Sequence, residues 1–193
     1  MTQALTKYTR IISAVTALSL IGVIVLPLWS IELTAPQYPE GLQLLIYSYK
    51  LGGNVDVVNG LNHYIGMRTL HAKDFPEFIV LPYIIGTLVF FGLLSTLLNK
   101  RWFFLAWVVF YLIFSATAMM DFYRWEYNYG HNLDSTAPIQ VPGMAYQPPL
   151  IGYKQLLNFS VYSIPASGGW IFIGVALLLL LAVFLEWKSF QKQ

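Results

Sequence analysis

The chain has 193 residues, of which 57% are hydrophobic and only 10% charged, with a formal net charge of +2. That balance lies outside the range of soluble domains and marks an integral membrane protein. Cysteine is absent, which excludes a disulfide framework, a thiolate metal site and a C-x-x-C-H haem attachment, and no nucleic-acid partner is expected.

Four uncharged windows reach the roughly 20 residues that a helix needs to cross a hydrocarbon core. They are residues 11–31, 78–98, 102–120 and 168–185, and no other window qualifies. The predicted fold class is therefore an all-α membrane protein forming one domain over residues 1–193. Its two long loops, 32–77 and 121–167, form a cap with short interfacial helices. Lys7, Arg10, Lys100, Arg101, Lys188 and Lys192 flank the spans on one side. The other side carries Lys50, Arg68, Lys73, Arg124 and Lys154 against eight acids. By the positive-inside rule both termini are cytoplasmic and both long loops exported, periplasmic in a bacterial inner membrane. The first apolar run is too long for a secretory h-region, and no A-x-A site follows, so it reads as a retained span.

In chain order, the first span contains Pro27 and reaches Trp29, a residue suited to the headgroup level. The stretch T-A-P-Q-Y-P-E-G is punctuated as irregular chain. Residues 42–51 are apolar and aromatic and read as a short interfacial helix, broken by Gly52, Gly53 and Asn54. Across residues 55–70 a helix would stack Asn59, His63, Met67 and His71 as a drifting stripe, although Gly60 and Gly66 weaken it. D-F-P-E at 74–77 reads as a capping box opening the second span. Asn99, Lys100 and Arg101 tie spans two and three into an antiparallel hairpin. The third span ends at Met119, Met120 and Asp121. The aromatic and proline-rich second loop reads as fixed, packed chain, with another interfacial helix over 154–163.

The span interiors hold no Asp, Glu, Lys, Arg or His, which argues against a transport path and against haem buried between helices. Function is thereby pushed to the exported face. His63, His71 and His131 all lie there, with Met67, Met119, Met120 and Met144. Thioether and imidazole donors suit copper, Cu(I) above all. His63 with Met67 is the best local pair, and His131 with Met144 is a second set from the other loop. His71, Asn62, Asp121 and Asp134 are candidates for an extra ligand or for a partner that orients an imidazole. The plainer reading stands beside this one: interfacial histidines are commonly hydrogen-bonding neighbours, and methionines at a span end are ordinary packing. Arg124, Trp125 and Tyr127, with Glu126 and Tyr129, read either as an aromatic belt or as a docking surface for a partner. No nucleophilic triad and no nucleotide loop is present, so no enzyme activity is expected.

At G-L-N-H-Y-I-G-M, at R-W-E-Y-N-Y-G-H-N-L-D and at V-P-G-M-A-Y-Q-P-P-L-I-G, the sequence resembles a polytopic membrane accessory protein. These NosB-like proteins are encoded beside the nitrous oxide reductase in clade II denitrification gene clusters. The resemblance implies an accessory role in periplasmic nitrous oxide reduction by a copper reductase, in maturation, anchoring or electron supply. It does not transfer ligands; His63, Met67, His131 and Met144 rest on residue chemistry alone. The alternative is a metal-free scaffold or a quinone-interacting anchor subunit, bound to the bilayer and to other membrane subunits.

Overall fold

The structure is a computed structural model that describes residues 4–191; Lys192, one of the six flanking cations, lies outside the described residues. Four helices are long and apolar enough to cross a membrane, the pattern of a multi-pass membrane protein: α1 (Lys7–Val25), α3 (Glu77–Leu98), α4 (Arg101–His131) and α5 (Ser167–Phe190). Helix α1 is central and packs against both α3 and α5, while α4 lies against α3.

Small and hydroxylated side chains let these helices approach closely. On α1 the buried face is Thr9, Ser13, Thr16, Ala17, Leu20 and Val23. A Cβ added to Gly92 would lie 2.5 Å from the Trp107 ring and 2.7 Å from Ala17 Cβ, so α1, α3 and α4 meet over a residue without a side chain. Three polar groups in the bundle are satisfied across helices. Ser13 Oγ donates to the Gly92 carbonyl at 3.3 Å, Trp107 Nε1 to the Leu88 carbonyl at 2.9 Å, and Tyr111 to the Phe172 carbonyl at 2.6 Å.

One end of the bundle gathers the expected cationic flanks. The Leu5 N–H donates to Asn99 Oδ1 at 3.1 Å, the Thr6 N–H to Glu186 Oε1 at 2.6 Å, and Arg10 Nε to the Thr96 carbonyl at 3.0 Å. These bonds tie the start of α1, the α3–α4 turn and the end of α5 together. Asn99, left-handed at φ 52°, closes α3 and permits the tight hairpin.

The opposite end corrects the all-α expectation, because it is built on a five-stranded antiparallel sheet of order β3-β2-β1-β5-β4. The strands are β1 (Trp29–Ala35), β2 (Tyr38–Ile46), β3 (Leu51–Gly53), β4 (Gly152–Leu156) and β5 (Phe159–Pro165). The first span is shorter than expected, since α1 stops at Val25 and the chain past Pro27 enters β1. Residues 42–51 and 154–163, expected as interfacial helices, are strand and turn. Their apolar residues serve a period of two: Leu42 and Leu44 are buried with Gln43 exposed between them, and Val161 and Ser163 are buried with Tyr162 exposed. Irregularity was expected at residues 34–41, but these continue β1 and β2 around a turn with a register shift.

The apolar face of the sheet is covered by α2 (Val55–Ile65) and by the last turns of α4. Trp29, Ile31, Leu42, Leu44, Val58, Leu70, Leu156 and Val161 form its core, with Phe122, Trp125, Tyr129 and Met144 packed on it. Helix α4 does not stop at Asp121, where the expected third span ends, but runs on to His131. Its 31 residues measure about 46 Å, about three turns more than a hydrocarbon core of about 30 Å requires, and those last turns reach the sheet. The capping box at D-F-P-E is not formed: Pro76 caps α3 without a side-chain bond, and Asp74 lies in a 3-10 turn, 3.4 Å from His71 Nδ1.

Candidate functional site

Helix α2 ends at Gly66, left-handed at φ 78°, and the Met67 N–H donates back to the Asn62 carbonyl at 2.9 Å. The returning chain is held against α2 by two asparagines. Asn59 exchanges two hydrogen bonds with the Leu70 backbone, at 2.6 and 3.0 Å, and Asn62 donates to the Arg68 carbonyl at 3.4 Å. Asn62, weighed as an accessory to a metal, is nearly fully buried and serves this backbone clamp.

The second loop is knitted onto the same turn. The Asp134 N–H donates to the Gly66 carbonyl at 2.8 Å, the Ile139 N–H to the Tyr64 carbonyl at 2.9 Å, and the Tyr129 hydroxyl to the Arg68 carbonyl. The two stretches carrying the His/Met pairs, some 65 residues apart in sequence, thus form one surface. Burial pushes the Tyr129 hydroxyl well above its ordinary range, helped by the charge of Asp74 and opposed by that of Arg68.

The four candidate donors take two kinds of position. His63 and His131 are exposed. His131 stacks on Tyr127 with ring centroids 4.0 Å apart, and its Nδ1 lies 2.8 Å from the Tyr127 carbonyl. A carbonyl only accepts, so Nδ1 is the donor here, and in a neutral ring Nε2 then holds the lone pair that a histidine ligand requires. His63 stands edge-on to Tyr64, and its charge reaches Asp134. The exposed Asp134 carboxyl is held below its usual range first by the Thr136 N–H and hydroxyl, then by His63. Met67 and Met144, by contrast, are half-buried. Met67 lines a small apolar cavity of about 70 Å³ beneath α2, and Met144 packs on the sheet core.

Among the described residues, no three His, Asp or Glu side chains come together as a metal-holding group. His71 is engaged with Asp74, and with Thr69 Oγ1 at 3.4 Å. Asp121 is separate again. With Arg124 and Trp125 it lines a second cavity, of about 300 Å³, between the start of α3 and the emerging part of α4. Of the expected docking residues, Arg124 and Tyr127 are exposed, whereas Trp125 is wedged among Phe75, Phe122 and Tyr129.

Glu126, expected with its neighbours in an aromatic belt or docking surface, is instead fully buried with both carboxylate oxygens unpartnered. Burial raises its pKa to about 8, so it is largely protonated at neutral pH. The hydroxyl of Tyr146, whose N–H donates to the Gly130 carbonyl, is likewise buried and unpartnered. Reading α4 as helix to residue 131 would have exposed the anomaly, because Phe122, Glu126 and Gly130 then share one face. No family model, curated protein or solved structure matches this chain.

Proposed function

We propose that this chain is a membrane-held accessory protein, without catalysis of its own, serving a copper reductase of the nitrous oxide type. It works through the surface where residues 59–71 and 129–146 meet. The observation that supports this most is the hydrogen-bonded seam at Gly66, Tyr64 and Arg68, which joins stretches bearing His63 and Met67 to those bearing His131 and Met144. The free Nε2 of His131 adds to it. In this reading the two imidazoles and the thioethers supply soft donors for copper, and Arg124 and Tyr127 present the partner-facing rim.

Elemental analysis of the purified full-length protein tests it. Near-stoichiometric copper is expected in the wild type, with loss in a His63→Ala, His131→Ala double variant. Copper retained by the double variant sinks the ligand set.

A metal-free scaffold is the second reading, favoured by the packing of Met67 and Met144 into the apolar layer. Its signature is copper-free protein that still co-purifies with a partner and loses it on Tyr127→Ala.

A further inference from the structure

The cavity between α3 and α4 has the build of a ligand site in its own right. Counting from Arg101 at about 1.5 Å per residue, Ala118 stands about 25 Å along α4 and Asn128 about 40 Å. A hydrocarbon core of about 30 Å therefore ends within the cavity, which straddles the headgroup level. Its lower wall is apolar, with Leu81 and Ala118, and its middle is a run of four aromatic rings. Phe75 lies 5.3 Å from Phe78 and 5.5 Å from Trp125, and Trp125 stacks at 6.0 Å on Phe122.

Charge then selects among occupants. Glu77, Asp121 and Arg124 all line the cavity, and none of their side chains makes a hydrogen bond or ion pair with another described residue. The rim therefore offers one unspent cation and two unspent anions. A neutral ring such as a quinone would leave those charges uncompensated, and a purely anionic headgroup would meet a rim of net negative sign. A dipolar headgroup satisfies both signs at once. We propose that this cavity binds the headgroup of a zwitterionic phospholipid of the phosphoethanolamine class. Its phosphate lies on Arg124, its primary ammonium between Glu77 and Asp121 against the aromatic wall, and its acyl chains descend past Leu81 and Ala118. A primary ammonium donates hydrogen bonds to carboxylates where a choline headgroup cannot, and aromatic faces attract either cation.

Native mass spectrometry of the full chain in detergent tests this, with titration by short-chain phosphatidylethanolamine, phosphatidylcholine and phosphatidylglycerol. Phosphatidylethanolamine is expected to bind about tenfold more tightly than either competitor, the worth of one charge-assisted bond. The Glu77→Gln, Asp121→Asn double variant should lose that preference, and Arg124→Gln should weaken all three lipids alike. Equal or tighter binding of phosphatidylglycerol, a preference unchanged in the double variant, or displacement by an equimolar short-chain quinone overturns the proposal. A check needing no variant is the lipid retained by wild-type protein after exhaustive detergent washing. Enrichment in phosphatidylethanolamine over the bulk membrane supports the assignment, and enrichment in anionic lipid refutes it.

Discussion

Glu126 is the residue whose environment departs furthest from its chemistry. A carboxyl with no hydrogen-bond partner and no solvent exposure is tolerable only as the neutral acid, in keeping with its raised pKa of about 8. The unfolded chain ionises this group near its ordinary value of 4.5, so between the two values the folded state holds a proton that the unfolded state has given up. Folding stability from this group therefore falls as pH rises through that window, by at most ~1.4 kcal/mol per pH unit, and levels off above about 8. Thermal unfolding followed by tryptophan fluorescence should show the wild-type melting temperature declining from pH 5 to 8. Glu126→Gln, neutral throughout, should flatten that decline and melt higher than wild type at pH 8.5. Coincident pH profiles for the two proteins would show that Glu126 is ionised or paired in the fold.

Helix α2 shows how one residue type does opposite things in a single element. Gly60 and Gly66 both read from sequence as weakening a helix over 55–70, and the helix spans only 55–65 because Gly66 turns left-handed there. A Cβ at Gly66 would meet the Asp134 carbonyl oxygen at 2.8 Å and Ala137 Cβ at 3.0 Å, whereas one at Gly60 meets nothing within 4 Å. Gly66→Ala is thus expected to destabilise by about 2–3 kcal/mol, combining left-handed strain with displacement of the second loop. Gly60→Ala, inside the helix and exposed, should stabilise by up to about 1 kcal/mol. Denaturant titration of the two variants, read by tryptophan fluorescence, measures both signs. The same comparison marks what was legible. The spans stood out because 20 uncharged apolar residues have one economical solution in a bilayer, and the glycine break after Ile65 was half-read. Residues 42–51 were not, because a short apolar run fits a buried strand as well as a helix. What decided it is pairing: Leu42 of β2 faces Leu33 of β1, which on its other side faces Val161 of β5, a partner that no local window contains. The candidate site was legible in the same uneven way. Whether the two His/Met stretches meet stays open at the level of sequence, and the inward packing of Met67 and Met144 depends on the unanticipated sheet.

At the scale of the molecule, the sheet and the cation-rich flanks occupy opposite ends of the bundle, and that polarity makes a sharp statement about sidedness. Hydrogen bonds fix the start of α1, the α3–α4 turn and the end of α5 at one end. We propose, by the positive-inside rule, that this end faces the cytoplasm; the seam at Gly66 and the cavity at Trp125 would then lie on the far side, within reach of an exported reductase. The absence of cysteine makes the assignment directly measurable, since any introduced thiol is the only one in the chain. Ser135, exposed in the loop beyond α4, and Gln191, exposed just past α5, report on the two ends. In intact spheroplasts a membrane-impermeant maleimide should label the Ser135→Cys chain at once and the Gln191→Cys chain only after lysis. The reverse pattern would place the sheet in the cytoplasm and leave the copper-accessory reading without a partner it could touch. The phospholipid site would survive that inversion, because its cavity lies at a headgroup level in either orientation, so the two proposals stand or fall on separate measurements.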